Sequence, residues 1–186
     1  MTDAVRRATT DDVLAIHETA RESWHATYDD VLGSDTVDSV VDDWYALGDL
    51  ESAIADASSR DDVEFVVVEP DKSTDDIITD SEGDVLTGLQ RCRAFAHVVP
   101  WPEDPVVAYL ARFYVRPDSW GEGVGTALLE HLETTLEDSF DRIRLAVLAD
   151  NEVGISFAES VGFERVTIRE TDLGDGLEEY VCEKSI

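Results

Sequence analysis

Lysine is almost absent from this chain: Lys72 and Lys184 stand beside twelve arginines. Together these 14 basic residues face 43 acidic ones, which leaves a formal charge of −29. A broad phosphate-neutralising face is hard to assemble from such a composition, so no nucleic-acid partner is expected. Cysteine is scarce as well. Cys92 and Cys182 are too few and too far apart for a disulfide framework, and no Cys/His cluster has zinc spacing, so no metal site is expected. No apolar run approaches the roughly 20 residues of a membrane helix, and Met1 to Arg7 lacks an apolar signal segment. The expectation is a soluble cytoplasmic protein with no membrane partner.

What is present fits a folded protein. With 186 residues, 43% of them hydrophobic and 8% aromatic, the chain can bury a core as a single domain over 1–186. The acids are spread along the chain and not gathered in a tail, so they coat the fold. Their mutual repulsion opposes compaction at low ionic strength. At about 1 M salt the Debye length falls to about 3 Å and that penalty largely disappears. In this respect the composition resembles that of proteins from extreme halophiles, which keep molar salt in the cytoplasm.

Elements of both periods alternate along the chain. Ala4 to Ala8 can form a strand. Thr9 and Thr10 before Asp11 and Asp12 then supply the hydroxyls and acids of a helix start. Val13, Ile16, Ala20 and Trp24 share a helical face, and Arg21 to Tyr28 is rich in groups able to line a cleft, His25 and Tyr28 among them. Val37, Val40, Val41 and Trp44 repeat the helical pattern, with Gly48 as an expected stop, and Leu50 to Ala57 fits a further helical piece. Glu64 to Glu69 is a β-branched strand run, and Pro70 to Asp84 reads as a polar surface loop or hairpin extension. Leu86 to Val99 resumes strand character before the turn Trp101-Pro-Glu-Asp-Pro105. Near the end, Ile143 to Leu148 reads as a strand and Glu152 to Val161 as a helix. Phe163 to Asp172 and Leu177 to Lys184 read as a hairpin about Gly174-Asp-Gly176. The order predicts a mixed α/β (α+β) fold with a central sheet of about six to seven strands flanked by helices.

The stretch Ala108 to Glu130 organises the rest. It reads as a strand ended by Pro117, a loop with Gly121, Gly123 and Gly125, and a helix carrying Leu128, Leu129, Leu132 and Leu136. A glycine loop that opens a helix gathers unpaired N–H groups and a positive dipole end in one small volume, which suits a phosphate or pyrophosphate. The plainer reading is a tight strand–loop–helix connection. No lysine follows as a Walker loop requires, and the third glycine comes one residue too soon for the dinucleotide fingerprint.

Trp120-Gly-Glu-Gly-Val-Gly125 instead resembles motif A of the GNAT superfamily of N-acetyltransferases, Arg/Gln-x-x-Gly-x-Gly/Ala, except that tryptophan holds the first position. The likeness continues through Thr126 to Leu129 and meets Asn151 and the Phe157-Ala-Glu-Ser-Val-Gly-Phe163 block. The Arg6 to Asp12 and Arg21 to Tyr28 regions are similar as well. It implies acetyl-CoA as co-substrate and an amine as acceptor. Its pyrophosphate would rest on the backbone of Gly121, Gly123, Val124, Gly125 and Thr126, its pantetheine arm along Phe113 to Val115, and Asn151 at the next strand end. Arg112, Arg116 and Arg144 could assist the phosphates or simply pair with local acids.

The implied reaction is direct attack of the amine on the thioester, which needs a neutral amine, a polarised carbonyl and a protonated thiolate. Tyr109 stands where the family often has a glutamate base, and His97 is a second candidate base. The late-helix position that often carries a tyrosine acid is Ala158. That gap keeps open a non-catalytic acyl-CoA-binding sensor or interaction module. A homodimer is compatible with the resemblance.

Overall fold

The computed structural model describes residues 4–70, 77–79, 82, 85–90 and 92–186, with 77–79 and 85–90 described as backbone. Nine strands occur among them: β1 (Val5–Arg7), β2 (Glu64–Val68), β3 (Ile77–Thr79), β4 (Val85–Gln90), β5 (Ala94–Trp101), β6 (Asp104–Val115), β7 (Arg142–Leu148), β8 (Glu164–Glu170) and β9 (Glu178–Ser185). Five helices accompany them: α1 (Val13–Leu32), α2 (Ser34–Trp44), α3 (Leu47–Ser59), α4 (Val124–Leu136) and α5 (Glu152–Ser160). Seven strands form one sheet in the order β1-β2-β5-β6-β7-β9-β8, while β3 and β4 pair separately. Every pairing is antiparallel except that of β6 with β7.

The sheet has a core on each face. Ile16, Ala20 and Trp24 of α1, Val37 and Val41 of α2, and Leu50 and Ile54 of α3 cover one side with Phe65, Val67 and Phe95. Leu128, Leu129, Leu132 and Leu136 of α4 cover the other with Val66, Val68 and Ala96. Burying each of these leucines stabilises the fold by about 1.5–3 kcal/mol relative to exposure. Strand β2 is buried at all five positions, which explains why Phe65 to Val68 reads as a continuous apolar run instead of alternating. The helix start expected near Thr9 is a short 3₁₀ turn, Thr10–Asp12, in which the Asp12 carboxylate accepts the Thr9 amide at 2.8 Å.

One expectation is sharpened and one corrected. The strand character of Leu86 to Val99 is divided between two strands: β4 and β5 belong to different sheets, and Cys92 and Arg93 lie between them. Cys92 is buried against α1, where the Thr19 hydroxyl donates to its carbonyl at 2.9 Å, and the Arg93 amide turns to Val68 O at 3.0 Å. Gly48 does not stop a helix but lies in the first turn of α3. The break comes earlier at Tyr45, whose backbone leaves the helical region while its ring is buried. Most of the expected polar loop at 70–84 lies outside the described residues.

The central irregularity lies in β6 and β7. Their parallel pairing covers only Val107–Arg142, Ala108–Ile143 and Tyr109–Arg144, whereas β6 stays paired with β5 as far as Val115. Beyond Tyr109 the two strands splay. The β5–β6 register also slips between His97–Arg112 and Val98–Leu110, which leaves Ala111 as a bulge at the start of the splay.

Candidate active site

A cavity of about 420 Å³ opens at the splay, and all eight cofactor-site residues expected from the sequence line it: Phe113, Val115, Gly121, Gly123, Val124, Gly125, Thr126 and Asn151. Its floor is the free edge of β6 and its far end is the N-terminus of α4. Helix geometry leaves the first-turn amides of Val124, Gly125 and Thr126 without intrahelical partners. The N-cap Gly123 adds no side-chain cap, and the first turn carries no acid, although the chain has 43 acidic residues. Backbone donors and the helix dipole thus meet in a space free of competing carboxylates, which fits an anionic phosphate group. Gly123 sits at φ +86°, where a Cβ is strained, and a Cβ on Gly125 would meet the Phe157 ring at 3.0 Å.

Trp120, at the position of the missing cation, also lines this cavity, with its indole N–H donating to Val115 O at 2.8 Å. The same carbonyl accepts the Ser23 hydroxyl at 3.0 Å, which ties α1 to the end of β6. None of the three nearby arginines lines the cavity. Arg112 donates to His97 at 2.8 Å and to Trp44 O at 3.1 Å, Arg116 pairs with Asp118 at 2.6 Å, and Arg144 pairs with Glu183 at 2.6 Å. Other groups of the protein engage them, so the donors at this end of the cavity are those of the main chain.

A second cavity of about 130 Å³ runs along the splay between β6 and β7. Tyr28, Phe113, Tyr114, Asn151, Gly154 and Phe157 line both cavities, so the two meet there. Tyr109 lines the smaller one, with its ring edge-on to Trp101 at 5.0 Å. Burial raises its phenol pKa, the Glu179 carboxylate adds to this, and Arg169 opposes it. Tyr109 is therefore protonated at neutral pH, which favours proton donation over the base role expected from the sequence.

His97 is placed elsewhere. It lines neither cavity, is stacked on Phe65 at 4.9 Å, and holds Nδ1 2.8 Å from the Arg112 guanidinium. Burial first and Arg112 second lower its pKa to about 4, so it is neutral at pH 7. The structure thus separates the two candidate bases and keeps only Tyr109 at the cavity. His25 bridges Asp29 and Asp38 at 2.8 and 3.0 Å and lines neither cavity. Ala158 is buried and brings no titratable group.

Tyr28 was only loosely visible in the sequence as part of a cleft-like stretch. Its ring packs on Trp24 at 4.7 Å, and its oxygen lies 3.0 Å from Asn151 Nδ2. A tyrosine on a long helix face gives no sequence signal that it will reach a strand end more than a hundred residues away. Asn151 also caps α5, accepting the Gly154 amide at 2.8 Å.

Comparison with known proteins agrees with this geometry. The acetyltransferase (GNAT) family model matches residues 44–163. The spermidine N(1)-acetyltransferase of Thermoplasma acidophilum is 26% identical over 185 residues, covering 99% of this chain and 98% of that protein. The crystal structure of the PaiA N-acetyltransferase from Thermoplasma acidophilum with coenzyme A superposes over the whole of both chains, with a TM-score of 0.78 at 23% identity. The ribosomal-protein-S18-alanine N-acetyltransferase of Escherichia coli shares the fold at a TM-score of 0.64 and 20% identity, covering 99% of this chain and 94% of that one. With a family model spanning well over half of its length and a splayed sheet over an uncapped helix start, the chain belongs to the GNAT family of N-acetyltransferases, which use acetyl-CoA.

Proposed function

We propose that this enzyme transfers acetyl from acetyl-CoA to a cationic amine, with polyamines as the first acceptor class to try. The observation that carries the reading is the continuity of the two cavities, one ending on the bare N-terminus of α4 and the other beside acceptor-side aromatics. The α4 amides hold the pyrophosphate, the free β6 edge at Phe113 and Val115 receives the pantetheine arm, and the Ala111 bulge turns the strand at the reacting end. The rings of Tyr28 and Tyr109 and the Glu179 carboxylate, which acts on both phenols, suit a cationic alkylamine. The Thermoplasma acidophilum relative named for spermidine supports the same class.

The amine must lose its proton before attack. With His97 committed to Arg112, water at the smaller cavity is the base, and Tyr109 orients the acceptor. The extreme acidity, with two lysines, supports a high-salt cytoplasmic setting.

Release of free CoA thiol tests the reading in molar potassium chloride, with spermidine, diaminoalkanes, aminoglycoside-like amines and a peptide N-terminus as acceptors. Turnover highest with polyamines is the expected result. Acetyl-CoA binding without thiol release from any acceptor would instead assign a sensor. Preference for the peptide would move the acceptor class to proteins.

A further inference from the structure

The backbone of Gly154 on α5 fixes the direction of a proton on Tyr28, far earlier in the chain on α1. A backbone N–H can only donate, so the Asn151 atom 2.8 Å from Gly154 N is the carboxamide oxygen. The carboxamide nitrogen, 3.0 Å from the Tyr28 oxygen, must then donate to it. The phenol therefore accepts this bond and keeps its own proton for another partner. Among the described residues that proton has no acceptor, although Tyr28 is only 7% exposed. A buried donor without a protein partner is costly unless a ligand or water completes it. Tyr28 lines both cavities, so the donor faces their junction. The other phenol shared by the two, Tyr114, is hydrogen-bonded to Tyr45.

We propose that Tyr28 is the proton donor to the departing thiolate, with Asn151 as the residue that positions it. This rests on the acetyl-transfer reading and deepens it. As the amine nitrogen bonds to the thioester carbon, the C–S bond breaks and sulfur takes the Tyr28 proton. The proton shed by the new ammonium returns to the phenolate through water, so the net products are amide and thiol. The ring is held for this by Trp24, and the titratable groups around it are the Tyr114 phenol on β6 and the Glu179 carboxylate on β9. Burial, followed by these two groups, raises the Tyr28 pKa and keeps the donor protonated across the working pH range. Tyr28 lies on α1, outside residues 44–163, the segment that the family model matches.

Free CoA provides an equilibrium test that needs no amine. Ultraviolet titration of the bound thiol should show it ionising about one to two pH units lower on the native protein than on Tyr28→Phe, the worth of one hydrogen bond to a charged sulfur. Coincident titrations would overturn the proposal whether or not any amine is acetylated. In turnover, Tyr28→Phe should lower kcat about 100-fold while the calorimetric Kd for acetyl-CoA stays within about threefold. An unchanged kcat would overturn it too. Should Tyr28→Phe fail to fold, replacement of Tyr28 by 3,5-difluorotyrosine keeps the oxygen and its Asn151 bond. The alkaline limb of kcat must then move to lower pH, and an unmoved limb refutes the role.

Discussion

Gly125 of α4 lies directly against the ring of Phe157 on α5: a Cβ at Gly125 would stand 3.0 Å from Cε2, 3.2 Å from Cζ and 3.4 Å from the Val115 side chain. The Phe157 ring cannot retreat freely, because it stacks on Phe113 at 5.5 Å. Gly125→Val should therefore push the ring into the larger cavity and weaken acetyl-CoA binding at least tenfold, with a fold cost of about 1–3 kcal/mol. Gly123 differs in kind. Nothing lies within 4 Å of its Cβ position, but its φ of +86° makes Gly123→Ala cost about 1–2 kcal/mol of stability with a smaller effect on affinity. Trp120→Arg loses only the indole bond to Val115 and adds a cation, so it should be the mildest. Calorimetry of acetyl-CoA binding beside thermal melting separates the three, and equal losses would reduce the glycines to packing residues.

His97 should make the fold sensitive to mild acid. Its native pKa is near 4, below the ordinary histidine value of 6.5. In the unfolded chain the ring takes up a proton below pH 6.5, whereas the native ring resists until pH 4. Stability is thus full above about 6.5 and falls as the pH drops toward 4, by on the order of 3 kcal/mol. Urea denaturation of the native protein and of His97→Gln at several pH values checks this. The variant should show a shallower decline across that window, and parallel curves would contradict it.

The glycine loop was legible because it is a local feature, alternating glycines ahead of a helix, that no distant contact is needed to reveal. The stripe Leu128, Leu129, Leu132 and Leu136 was equally local, and all four are buried as the helical period requires. The Asn151–Gly154 cap is local, but Tyr28 meets Asn151 only through tertiary packing, which leaves no spacing to read. The β6–β7 splay leaves no residue pattern of its own, since a strand's sequence records its faces and not where its partner departs. The placement of His97 was not legible because a strand histidine looks the same whether it faces a cleft or an arginine on the adjacent strand. The β4–β5 break was masked because strand-compatible residues lie on both sides of Cys92, although they serve two different sheets.

Arg6 grips both oxygens of Asp12 at 2.8 Å and Glu69 at 2.7 Å, joining β1, the first 3₁₀ turn and the residue after β2. Burial alone would raise the Asp12 pKa, but the bonds from Arg6 and the Thr9 amide outweigh it and hold the carboxyl below the ordinary range. Its stabilising contribution is therefore present above the unfolded carboxyl pKa and is lost as pH falls through the lower native value. Asp12→Asn should cost about 1 kcal/mol at pH 7, modest because Arg6 is partly exposed to solvent. The gap between variant and native protein should close in strong acid. Guanidinium titrations at pH 7 and pH 3 measure it, and a gap independent of pH would show that shape, not charge, is what Asp12 contributes.

Salt should act on this protein in two linked ways. The 43 acids outnumber the 14 bases by 29, so most carboxylates face no cation and the surface repels itself. Raising potassium chloride from 0.1 M toward 1 M shortens the Debye length from about 10 Å to about 3 Å, which removes most of that repulsion while also loosening exposed pairs such as Arg60–Asp62. The uncompensated acids are more numerous than such pairs, so stabilisation wins, and a gain of several kcal/mol raises Tm by about 10 °C. Chloride is the informative anion here, since sulfate would stabilise any fold by exclusion from its surface. Acetyl-CoA is itself an anion approaching a net negative protein, so its Kd should fall as potassium chloride rises. An anion site surrounded by cations would show the reverse, because salt would screen its attraction. Here the attraction comes from the short-range amides of Val124 to Thr126 and the repulsion from distant carboxylates, so screening removes the second and largely spares the first. Calorimetry across the salt series reads the sign directly, and a Kd that rises with salt would mean that side-chain cations, not the α4 amides, hold the phosphates.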